Sequence, residues 1–160
     1  MLNIVLFEPE IPPNTGNIIR LCANSGMQLH IIEPIAFDMD DKKLRRAGLD
    51  YHEFTSVKIH KDFDEFLKKE FNDNLDKKKS ILYSCTTKTQ HCYTEAKFKA
   101  NDYLLFGPET RGLPSSILEN KSLTIPITIP MKKDSRSINL SNAVAIIAFE
   151  AWRQLDFNIE

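Results

Sequence analysis

The chain has no apolar run approaching the ~18 residues of a membrane-spanning helix, and its opening, MLNIVLF, is too short and lacks the basic lead of a secretory signal. A cytoplasmic protein without membrane contact is expected. It also has almost no net charge, −1 from 21 basic and 22 acidic residues, so a nucleic-acid partner would have to be met by local patches. Its three cysteines, Cys22, Cys85 and Cys92, are odd in number and lack metal-ligand spacing, so structural thiols and no metal are expected. No G-x-G-x-x-G follows an apolar run, which argues against a dinucleotide site. Gly107 and Gly112 have the spacing of a phosphate loop, but Leu113 and Pro114 stand where that loop needs Lys and Ser/Thr, and the charge that meets the β- and γ-phosphates is missing. Repeats, linkers and low-complexity stretches are absent as well. At 160 residues, 42% hydrophobic and 27% charged, the chain reads as one domain, 1–160, that buries roughly two thirds of its extended-chain surface.

What is present alternates between buried strands and helices. LNIVLF (2–7), LHIIEP (29–34), SILYSC (80–85) and DYLLF (102–106) are apolar runs without polar alternation, and LTIPITIPM (123–131) is extended and twice broken by proline. Between them, NIIRLCANSG spaces its apolar residues helically, with Asn14 or Thr15 as candidate N-cap and Gly26 as stop. DDKKLRRAG predicts a short polar helix ending at Gly48, and DFDEFLKKEF (62–71) an amphipathic one with Phe63, Phe66, Leu67 and Phe71 on one face. The last helix, NLSNAVAIIAFEAWRQL, is capped near Asn139 or Ser141; residues 143–149 are apolar almost all round, which predicts a subunit interface and hence a homodimer. Non-alternating strands separated by helices predict an α/β fold, a parallel sheet with helices on both faces.

In such sheets ligands bind at the carboxyl ends of the strands. Three unusual loops fall there: EPEIPPNTGN, GPETRGLP and PMKKDSRSINLSN. The first places Asn14, Thr15 and Gly16 at a helix start, where free N–H groups and the dipole favour an anion, with Asn17 and Arg20 on a shared face. The second offers bare backbone at Gly107 and stiffness at Pro108 and Pro114. The third carries three serines and two asparagines ahead of the last helix, more than one cap requires, and suits a polar small molecule. One site built from all three is the economical expectation.

NTGNIIR, FGPETRGLP and DSRSINLSNAVAI resemble, in order and spacing, the three motifs of the SPOUT class of RNA methyltransferases. MLNIVLFEPEIPPNTGNIIRLCANSG, LRRAGLDYHEF and EAWRQL extend the resemblance to the bacterial branch that 2′-O-methylates the wobble cytidine or uridine of leucine tRNAs. The resemblance implies a deep C-terminal trefoil knot, S-adenosylmethionine as methyl donor, no metal, tRNA as partner and a homodimer. It implies cofactor contacts at Gly107, Ile129 and Ser137, with Cys85 matching by position, and assigns chemistry to Asn14, Arg20, Glu109, Ser137 and Asn139. It points to RNA contacts at Lys42, Lys43, Arg45 and Arg46 and at Lys132, Lys133 and Arg136. A guanidinium with a pKa above about 12 suits a cation stabilising the developing alkoxide and nearby phosphate better than a general base, though both roles stay open. Also open are methylation of another tRNA or rRNA ribose and a non-catalytic RNA- or nucleotide-binding role.

Overall fold

The computed structural model of the chain describes residues 1–39, 56–72 and 80–158. In chain order it contains β1 (Asn3–Phe7), α1 (Pro12–Ser25), β2 (Gln28–Ile32), β3 (Lys58–His60), α2 (Phe63–Leu67) running into a π turn (Lys68–Asn72), β4 (Leu82–Cys85), β5 (Tyr103–Phe106), α3 (Ser115–Leu118), β6 (Ile125–Ile127) and α4 (Leu140–Gln154). The six strands form one sheet in the order β3-β2-β1-β5-β4-β6, every neighbouring pair parallel. The expected helix over DDKKLRRAG, and Lys42, Lys43, Arg45 and Arg46 with it, lies outside the described residues.

The absence of alternation in the strands has a direct cause. Ile4 and Leu6 on β1 and Leu104 and Phe106 on β5 enter one core with Ile18, Ile19 and Cys22 of α1 and Val144, Ile147, Ala148 and Ala151 of α4. Val5, Phe7, Tyr103 and Leu105, the intervening residues, enter a second core with Phe66, Leu113 and Ile117. Both pleat faces are covered, so both sets must be apolar, each buried large side chain contributing roughly 1.5–3 kcal/mol over exposure. Phe63, Leu67 and Phe71 pack against Phe66 as the helical spacing predicts, and Asp62 caps α2 by accepting the Glu65 N–H at 2.8 Å.

Three features differ from the sequence reading. Helix α1 starts at Pro12, not after Asn14: two prolines need no donor partner in a first turn, so Asn14 and Thr15 sit inside the helix and are buried. Gly26 ends it in the left-handed conformation, φ 72°. The edge strand β3 is three residues with only His60 buried, too short for a periodic signal. On α4, capped by Asn139, Ile147 is only 1% exposed and belongs to the core; the outward apolar residues are Ile146 and Phe149, at 37% and 47%.

Candidate functional site

The strand order reverses direction at β1 and β5: from β1 the chain builds outward through β2 and β3, while β5, β4 and β6 lie on its other side. A crevice at the carboxyl ends is expected there. A cavity of about 430 Å³ opens at that end, walled by residues 85–88 from the end of β4, 106–113 from the end of β5, 127–129 from the end of β6 and 137–140 at the start of α4, with Ile11 and Asn14. The three loops singled out by composition therefore meet. Asn14, Cys85, Gly107, Glu109, Ile129, Ser137 and Asn139 all line the cavity. Arg20, Lys132, Lys133 and Arg136 do not; each is exposed, Arg20 on the same outward face of α1 as Asn17. Thr86, Thr87 and Lys88 are lining residues that the sequence reading passed over. The carboxyl-end rule, applied to β4 as it was to β1, β5 and β6, points to them.

One chain of hydrogen bonds ties the three loops together. The Glu109 carboxylate accepts from Glu10 N at 2.8 Å, Ile11 N at 3.1 Å and Asn14 Nδ2 at 3.3 Å. Asn14 Oδ1 accepts from Asn139 Nδ2 at 3.0 Å, and Asn139 Oδ1 accepts from Ser141 N at 3.0 Å and Asn142 N at 3.4 Å, capping α4. Asn14 and Asn139 thus have both amide ends engaged and fixed in direction. The clamp is reciprocal: Thr110 donates to the Glu10 carboxylate from its N–H at 2.9 Å and from its hydroxyl, and these bonds hold the Glu10 pKa below the usual carboxylate range. Arg111 pairs with Glu8 and Glu10 across the same seam.

This accounting corrects the expected anion site. Pro12 and Pro13 have no N–H, Asn14 N and Thr15 N bond to Ile11 O, and Glu10 N and Ile11 N are given to Glu109. The anion at the start of α1 is the Glu109 side chain. Gly107 is also required for a reason inside the protein. A Cβ there would lie 2.4 Å from Leu113 N and 2.6 Å from Gly112 C, because the loop closes on itself through the Gly112 N–H to Pro108 O bond at 3.0 Å. Gly112 itself has φ +67°. Burial raises the Cys85 thiol well above its ordinary pKa, so this wall residue is a neutral thiol, not a nucleophile.

A parallel sheet with a loop-built cavity at its switch point defines a small-molecule-binding α/β protein, and the family follows from comparison. The chain belongs to the SpoU rRNA Methylase family, whose model matches residues 1–149. It is 59% identical over 157 residues to the tRNA (cytidine(34)-2′-O)-methyltransferase of Yersinia pestis, covering 98% of this chain and 96% of that protein. A solved structure that gives insights into the 2′-OH methylation of C/U34 on tRNA superposes with a TM-score of 0.87 at 39% identity, covering 99% of this chain and 98% of that one. The SpoU methyltransferase AviRb of Streptomyces viridochromogenes, solved in complex with AdoMet, shares the fold with a TM-score of 0.81 at 24% identity, covering 98% of this chain and 58% of that one.

Proposed function

We propose that this protein transfers a methyl group from S-adenosylmethionine to the ribose 2′-hydroxyl of the wobble nucleotide, cytidine or modified uridine, in leucine tRNAs. The observation that carries the reading is the cavity in which all three loops meet under the Glu109–Asn14–Asn139 chain, in a protein this similar to a C34 methyltransferase. The cavity suits the methyl donor. Its walls include the glycine-bearing loop 107–113 and the apolar residues Ile127, Ile129 and Leu140, which match an adenosine with a short polar tail. Gly107, Ile129, Ser137 and the backbone at Cys85 would hold it, and it supplies an electrophilic methyl on a sulfonium.

The protein's own part is positioning and charge. Asn14 and Asn139, each locked by the other, hold the third loop against the first and keep Ser137 at the cavity mouth. Arg20 is the cation for the 2′-oxygen as it sheds its proton, and for the phosphate beside it. Lys132, Lys133 and Arg136, exposed on the loop that leads to Ser137, make the RNA contacts. The deep knot of the family belongs to this reading: from β5 the chain runs to the outer strand β6 and returns through 128–139 to α4, which packs on α1 and β5. So does the cytoplasm, where the tRNA is; no helix among the described residues is long and apolar enough to cross a membrane. Incubating total tRNA from a strain lacking the protein with labelled methyl donor, then mapping the label, tests the whole reading. Label on a ribose other than nucleotide 34 would overturn it.

A homodimer is part of the same reading. Ile146 and Phe149 are exposed on α4, and Phe149 packs edge-on against Trp152 with centroids 5.5 Å apart, which leaves one outward apolar face. Ile146→Asp is expected to shift the light-scattering mass from twice 18.4 kDa to 18.4 kDa without unfolding the chain. Ile147→Asp should instead unfold it, because an unpaired charge in the core costs several kcal/mol. A wild-type monomer at micromolar concentration would refute the dimer. Methyl transfer itself is expected to survive EDTA when the tRNA is folded beforehand. Loss of activity that a divalent ion restores would contradict metal-free chemistry.

A further inference from the structure

Away from the cavity, the second core encloses three ligand-type side chains that the reaction does not use. His30 from β2, His60 from β3 and Glu70 from the π turn are all buried, and one donor atom from each lies within 4.8 Å of the others. Asn3 and Tyr103, which flank the group, open β1 and β5 at the end of the sheet opposite the cavity. We propose that His30, His60 and Glu70 form a binding site for a divalent transition metal, zinc being the best match to two imidazoles and a carboxylate.

The hydrogen bonds fix the orientation of each donor. Asn3 Nδ2 donates to Asn101 O and Asp102 O at 3.3 Å, so its Oδ1 faces His30 Nε2 at 3.4 Å as an acceptor. The His30 proton then resides on Nε2, and its Nδ1 lone pair points at His60 Nε2, 3.0 Å away. This tautomer is assigned from the network. Glu70 Oε2 accepts from the Tyr103 hydroxyl at 2.8 Å, which leaves Oε1 directed into the group, 3.9 Å from His30 Nδ1. A ring N–H held by an amide oxygen and a carboxylate held by a phenol are the supports that metal ligands carry behind them. Phe66 closes the walls, its ring centroid 5.8 Å from that of His30 and 5.2 Å from that of His60. Burial keeps His60 toward its neutral, coordinating form.

Binding would draw the three donors, now within 4.8 Å of one another, closer together around the ion. The proton between the two rings leaves His60 Nε2, and the ring takes one at Nδ1, a buried atom that otherwise has no hydrogen-bond partner. Lys58, 47% exposed with Nζ 3.4 Å from Glu70 Oε1, is a cation beside the carboxylate, and it must swing into solvent to admit the metal. That competition supplies a test that does not depend on damaging the core.

The metal-stripped protein is titrated with Co²⁺, followed by visible absorption, and with Zn²⁺, followed by thermal melting. One equivalent of Co²⁺ should develop weak d–d bands without the ultraviolet thiolate charge-transfer band, and Zn²⁺ should displace it and raise Tm. Glu70→Gln and His60→Asn should lose the bands and the Tm shift. Lys58→Met should bind Co²⁺ severalfold more tightly. A thiolate band would assign the metal to the cysteines and overturn the proposal. So would the absence of saturable binding in both wild type and Lys58→Met, which would leave the group as a buried proton-sharing network beside Lys58.

Discussion

Arg20→Ala should slow single-turnover methylation of tRNA about a hundredfold or more while leaving S-adenosylmethionine affinity at the wild-type level. That magnitude is the usual cost of removing one electrostatic or acid–base contribution from a transition state. The sparing of cofactor affinity follows from position: Arg20 is exposed on α1 and is not among the residues that wall the cavity. Arg20→Lys should recover little, because an ammonium lacks the planar fork that can bridge an alkoxide and a phosphate oxygen. Calorimetric titration of the cofactor beside single-turnover methylation separates the two effects. Near wild-type turnover in Arg20→Ala would reduce the residue to a surface arginine.

Much of the architecture was legible because a parallel sheet writes itself into the sequence without alternation. Ile4 and Leu6 serve one core and Val5 and Phe7 the other, so LNIVLF reads as a strand covered on both faces. The three site loops were legible as outliers of composition at the ends of such runs. The errors occur where a partner is distant in the chain. The start of α1 is held by Glu109, 95 residues after Asn14, and no local pattern announces a carboxylate arriving from another loop. The local N-cap rule therefore favoured Asn14, whose side chain instead bridges Glu109 and Asn139. His30 and His60 are 30 residues apart and meet only because β2 and β3 are neighbours. The sequence points to Gly107 as a place for a ligand to approach bare backbone, whereas the close approach in the structure is made within the protein. The backbone that presses on it belongs to Gly112 and Leu113 of its own loop.

That self-contact makes Gly107→Ala a disruptive change despite adding a single methyl group. The added Cβ would meet Leu113 N and Gly112 C, both backbone atoms, so no side-chain rotation can relieve the clash and the 107–113 loop must open. Overpacking of this kind costs roughly 1–3 kcal/mol, and because Leu113 is anchored in the second core the melting temperature should fall as well. The opened loop is the cavity wall, so cofactor affinity should drop by about tenfold or more, the equivalent of ~1.4 kcal/mol. Wild-type affinity in a folded Gly107→Ala protein would show that the loop does not hold the cofactor. The variant also gives a decisive partner for Arg20→Ala. Arg20 lies outside the cavity of its own chain, on a helix that packs against α4, whose outward residues Ile146 and Phe149 form the proposed dimer face. In the proposed dimer it is expected to serve the partner's cavity. Assayed at a cofactor concentration well below the Gly107→Ala dissociation constant, co-expressed Arg20→Ala and Gly107→Ala chains should then exceed the activity of either variant alone, since each mixed dimer holds one intact loop facing one intact arginine. If each arginine serves its own chain, every protomer in the mixture carries one defect and no activity returns.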